Sequence, residues 1–139
     1  MRALGTEIGL SHQFTSRQPF PGPGLSIRCE APVTRENINI CRLAEEKLHE
    51  FLQNHKIFPW QSLFVLLNSK AVGVKGDARV YQKVGVVKLV DSWDGISATS
   101  FALSPQQEKE ITLSLVNNLP LSRVLFDKTP KPPGTIEWQ

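Results

Sequence analysis

Residues 71–81 read AVGVKGDARVY, from Ala71 to Tyr81. Apolar side chains alternate through the stretch, Gly73 and Gly76 interrupt the ladder, and Asp77 and Arg79 stand two positions apart. On an extended backbone that spacing directs both side chains to one face. Gly-Asp between two strand-like runs is the pattern of a hairpin turn, with the acid and the base as a solvated surface pair. The same residues also suit a polar binding site, because glycine lets a ligand approach the backbone next to a carboxylate and a guanidinium.

Working outward from the turn, WQSLFVLL at 60–67 is a near-continuous apolar run of strand length, with Gln61 its polar exception. A core amide either bonds neighbouring backbone or faces a ligand. Strands are expected to continue at 71–74 and 80–90 and to pair antiparallel around Gly76-Asp77. Upstream, Leu25, Ile27 and Cys29 alternate with polar residues, which predicts a first strand over 25–30. Thr34 is placed to cap a helix over about 35–53, whose apolar face carries Ile38, Cys41, Ala44, Leu48, Phe51 and Leu52. Glu45, Glu46, Lys47 and Glu50 then form its wet side.

Residues 91–103 have no clear period and read as loop. Ser104, Pro105 and Gln107 form a helix start with a capping box. Ile111, Leu115 and Leu119 line that helix, joined by Leu113 and Val116, and Pro120 follows its end. A last strand is expected over 122–127. The order β-α-β-β-α-β predicts a two-layer α+β domain, a mainly antiparallel sheet covered on one face by two helices.

The chain has 139 residues, 40% apolar and 21% charged, which suits one soluble globular domain. A net charge of +3 and a pI near 9.0 are too mild to demand nucleic acid. Cys29 and Cys41 lack metal-ligand spacing and read as buried free thiols of a reducing compartment. His49 and His55 are six apart, which does not suit a ligand pair. No run reaches membrane-spanning length and no signal peptide is legible, so a cytoplasmic location is expected. Residues 2–10 read as the last turns of a larger element, as in a chain cut from a longer protein. PFPGPG at 19–24 marks a boundary or hinge. The tail KTPKPPGTIEWQ at 128–139 is stiffened by prolines and carries Trp138 to bury, which suits a lid or one side of a site with Lys131 and Glu137.

RQPFPGPGLSIR at 17–28, VGVKGDARVY at 72–81 and FDKTPKPPGTIEW at 126–138 together resemble the C-terminal dimerisation domain of glutamine-hydrolysing GMP synthetase. The resemblance implies that residues 1–24 are the trailing end of an ATP-pyrophosphatase domain and its hinge, and 25–139 the dimerisation domain. It implies a homodimer that helps bind xanthosine monophosphate for ATP-dependent amination to GMP. ATP and magnesium belong to the parent enzyme, whose pyrophosphatase and glutaminase signatures are not in this sequence, so the chain alone is expected to be inactive, without catalytic residues or a cofactor of its own. The nucleotide contacts it implies fall on Gln61, Asp77, Arg79, Lys131 and Glu137. Arg79 and Lys131 suit a phosphate, and Asp77, Glu137 and Gln61 suit ribose hydroxyls or purine donors. Departures from the pattern are Gln18 for His, Phe126 for Tyr, Pro130 for Ser and Gln139 for Glu. Binding of the nucleotide by the isolated chain is expected to be weak or absent, with a clear dimer. A small nucleic-acid-binding module is the alternative from another class.

Overall fold

A computed structural model describes residues 2–15 and 17–139. In chain order its elements are α1 (Arg2–Glu7), α2 (His12–Thr15), a 3-10 turn (Gly24–Arg28), α3 (Arg35–Asn54), β1 (Gln61–Lys75), β2 (Ala78–Asp91), β3 (Thr99–Ser100), α4 (Pro105–Asn118) and β4 (Leu121–Phe126). β1 and β2 form one long hairpin, paired from Gln61 opposite Val90 to Lys75 opposite Ala78, with a register shift between Leu66 and Lys70. Gly76 takes φ 59° at the first central position of the turn. Glycine supplies that conformation without a Cβ clash, as a II′-class turn requires. Gln61–Leu66 and Val84–Val90 are buried, and the arm beyond the shift is largely exposed.

The fold is the expected α+β sheet with helices on one face, with two differences in the sheet. β4 lies parallel to β2 along Lys83–Val87, because α4 carries the chain back across the sheet before β4 begins. β3 forms inside the stretch read as loop and pairs antiparallel with Val90 and Asp91. Thr34 caps α3, its side chain accepting from the Asn37 amide, and Ser104 and Gln107 make the capping box of α4. Both helices bury their apolar stripes against Phe64, Leu66, Val87, Leu89 and Leu121. Leu113, expected to join them, points to solvent at 46% exposure. On the other face Leu63, Val65, Val86 and Val90 are covered by Ala98 and by Ile136 of the tail. Ile136 is the tail's buried anchor, and Trp138, expected to be buried, is 36% exposed.

The strand expected over 25–30 is not formed. Pro23 and Gly24, the latter at φ 73°, start a 3-10 turn instead, and the Ser26 hydroxyl donates to the Pro23 carbonyl. Only Cys29 bridges to Leu66, with the Glu30 amide donating to the Leu66 carbonyl. Side chains cover the rest of the β1 edge: the amide of Ser62 donates to Gln18, that of Phe64 to Glu45 and that of Asn68 to Glu30. An uncovered edge is a template for unwanted pairing, and this one is closed by side chains from both sides of the Pro/Gly boundary, Gln18 before it and Glu30 and Glu45 after it.

Candidate functional site

Arg28 ends the 3-10 turn and is 1% exposed. A guanidinium cannot shed its proton there, so each N–H direction must meet an acceptor. Its Nε and Nη2 donate to the two carboxylate oxygens of Glu137 at 3.1 and 2.7 Å, and Nη1 donates to Glu45 at 2.7 Å. The Phe20 ring lies 5.2 Å from the guanidinium carbon, within cation–π reach. Gln61 donates from Nε2 to Glu137 Oε1 at 2.7 Å. Residues from the boundary segment, α3, β1 and the tail thus meet at the start of β1.

Burial by itself works against the charge of Arg28, but the Glu137 and Glu45 carboxylates outweigh it and hold its pKa above the ordinary value. Burial pushes the Glu45 carboxyl up, against the opposing pull of Arg28 and the Phe64 amide. Glu45, read from sequence as part of the wet side of α3, is therefore an interior ion-pair partner. Helical periodicity placed it near the edge of the apolar stripe, and only the arrival of Arg28 turns it inward.

A second buried pair joins sheet and tail. Lys88, 3% exposed within the apolar run of β2, reaches Asp127 at 2.7 Å and donates to the Thr135 carbonyl at 2.9 Å. Burial raises the Asp127 carboxyl, but the Lys88 and Thr129 hydrogen bonds and the Lys88 charge bring it below its ordinary value. Sequence reasoning missed both pairs. The available signal was an ionisable residue inside VVKLV, which must find a partner when its neighbours are buried.

The remaining tail residue of the expected site, Lys131, pairs through its backbone with Ala98 and donates from Nζ to the Gly95 carbonyl at 3.0 Å. The adjoining loop is braced by Asp94, whose carboxylate accepts from the Ile96 and Ser97 amides and is held below its ordinary pKa, first by Ser97 and then by Ile96. An open cleft of about 360 Å³ lies there, lined by Asp91, Ser92, Trp93 and Ser97–Thr99.

Gln61 and Glu137 are thus in contact, and Lys131 enters from the same tail. Asp77 and Arg79 are not with them. Both are exposed at the hairpin tip, and neither makes a side-chain hydrogen bond or ion pair among the described residues. Arg79 to Asp91 spans roughly 40 Å along β2 at about 3.3 Å per residue. Asp77 occupies the turn itself, so the face it was expected to share with Arg79 does not exist. Arg79 instead lies on the face of Val72, Val74 and Tyr81, which are 48%, 72% and 65% exposed. Cys29 and Cys41 are buried and free, burial pushing the Cys41 thiol up to about 12.

These features define a class: an α+β domain with helices on one face of its sheet, and its own C-terminal segment strapped over the other and fastened by buried ion pairs. The family described as the GMP synthase C-terminal domain matches residues 46–138. Over the whole chain, glutamine-hydrolyzing GMP synthases are similar: that of a Nitratiruptor species at 43% identity, that of Nitrobacter hamburgensis at 42% and that of Roseobacter denitrificans at 39%. The chain spans 28%, 26% and 27% of their respective lengths, about a quarter of each. It belongs to the GMP synthase C-terminal domain family.

Proposed function

We propose that this chain serves as the nucleotide-gripping and subunit-pairing domain of a glutamine-hydrolysing GMP synthetase, helping to hold xanthosine monophosphate during its ATP-dependent amination to GMP in the cytoplasm. The observation that carries the reading is the contact between Gln61 and Glu137, brought together from distant parts of the chain in a member of this family. Lys131 supports it as a phosphate partner, its ammonium resting on the Gly95 carbonyl of the braced loop. None of these groups needs to do covalent chemistry. Their contribution is to hold the purine oxygen in line for adenylyl transfer and ammonia attack, which is where orientation lowers a barrier most. ATP and magnesium act in the pyrophosphatase portion of such an enzyme and have no role for residues of this chain.

One nucleotide cannot touch Arg79 and Lys131 of the same chain. The reading therefore requires a second copy to supply the hairpin tip, and the exposed Val72, Val74 and Tyr81 beside Arg79 offer the apolar stripe along which copies would dock. The test is NMR titration of the chain with xanthosine monophosphate to about 10 mM, following backbone amides, since a partial pocket gives dissociation constants of about millimolar. Shifts at Gln61, Lys131 and Glu137 are expected, together with shifts at the hairpin tip. A flat titration would remove the reading.

A further inference from the structure

Arg28 has no assigned part in the site, yet it makes more contacts to the tail carboxylate than any other side chain does. We propose that Arg28 is the positioning residue of the nucleotide site, fixing Glu137 so that a single acceptor position remains for a donor group of the ligand. The inference rests on the reading of Glu137 as a nucleotide contact.

A carboxylate oxygen accepts about two hydrogen bonds. Oε1 of Glu137 receives two, from Arg28 Nη2 and Gln61 Nε2, whereas Oε2 receives one, from Arg28 Nε. Among the described residues the second position of Oε2 is open, and the side chain keeps 21% exposure through which a ligand can reach it. Glu otherwise turns broadly about its last torsion. The Arg28 fork stops that rotation before any ligand arrives, which removes an ordering cost from binding. Arg28 is itself held by Glu45, and Glu45 accepts from the Phe64 amide, so the fixing runs from α3 and β1 to the tail. Two carboxylates around one guanidinium leave a formal excess of negative charge. That end of the site selects a hydrogen-bond donor, a ribose hydroxyl or purine N–H, and repels phosphate, which is left to Lys131.

The experiment is a double-mutant cycle on the whole chain, with Arg28→Lys, Glu137→Gln and the pair, reading xanthosine monophosphate and ribose 5-phosphate affinity by NMR. A lysine keeps the charge but loses the fork. Each single change is expected to weaken xanthosine monophosphate by about tenfold, and the pair by about the same factor, because Arg28 acts only through Glu137. Ribose 5-phosphate tells the two donors apart: it loses as much where Glu137 holds a ribose hydroxyl and less where it holds a purine N–H. Losses that multiply in the pair would mean a general structural role and overturn the proposal, as would Arg28→Lys binding like the parent while Glu137→Gln does not. If Glu137→Gln also binds like the parent, the nucleotide reading of Glu137 falls with it. Should Arg28→Lys fail to fold, Glu45→Gln carries the same cycle, since it loosens Arg28 without touching Glu137. It is expected to cost about threefold, and no cost overturns the proposal.

Discussion

At Gly85 a Cβ would stand 2.4 Å from two ring carbons of Phe64, a buried aromatic on the helix-covered face. The ring fills the space a side chain would take, so Gly85→Ala is expected to lower stability by about 1–3 kcal/mol, as overpacking does. Urea unfolding checks this, and an unchanged midpoint at unchanged slope would show that the ring moves freely. Asp127 and Glu45 illustrate opposite linkages. Asp127 is depressed below its ordinary value near 3.8, so its contribution is present above that value and fades as pH falls through the folded pKa. Glu45 is raised above its ordinary 4.5, so its contribution is present below that value and is lost as pH rises through the folded pKa. Urea midpoints measured from pH 6 down to about pH 2 should therefore fall less steeply on the acid side in Asp127→Asn than in the parent chain. An identical acid limb would mean that the Lys88 pairing is not made in solution.

At the scale of elements, the helices were legible because their signals are local. Ser104-Pro105 with Gln107 fixed the start of α4, and the apolar recurrence from Ile38 to Leu52 fixed α3. The hairpin turn was legible for the same reason, with Gly76 at its first central position. The strand expected at 25–30 was not, because alternation in LSIRCE is equally compatible with a 3-10 turn that sends Arg28 inward, and the choice depends on carboxylates 17 and 109 positions away. The edge of β1 shows another long-range dependence. Gln18 accepts from both the amide and the hydroxyl of Ser62. Gln18→Ala leaves these two groups without their partner beneath the boundary segment and should cost about 1–3 kcal/mol, with faster hydrogen exchange at the Ser62 amide. Exchange no faster than in the parent would show that the edge is closed by something else.

At the scale of the whole molecule, the long hairpin separates two halves of the expected site, and the proposed pairing of copies is what would reunite them. Val74→Asp places a charge in the exposed apolar stripe and is expected to turn a dimer into a monomer in sedimentation velocity, and to weaken xanthosine monophosphate by about tenfold although Val74 need not touch it. A parent chain that sediments as a monomer at high concentration would sink this picture. A dimeric Val74→Asp would move the interface elsewhere. Of the candidate residues, Gln61 and Glu137 come into direct contact, Lys131 lies six residues earlier in the same tail on the Gly95 carbonyl, and Asp77 and Arg79 stand apart at the hairpin tip.

What the sequence by itself determined are features whose causes lie within a few residues: helix caps, the glycine turn, apolar periodicity, the proline-stiffened tail, and three segments specific enough to indicate the family. The tertiary structure decided which charges are interior. Arg28, Glu45, Lys88 and Asp127 look like surface residues in a linear reading, because a charge is buried only where a distant partner meets it. Arg28 meets Glu45 and Lys88 meets Asp127 only once the chain has folded, and the tail completes both sites with Glu137 and the Thr135 carbonyl.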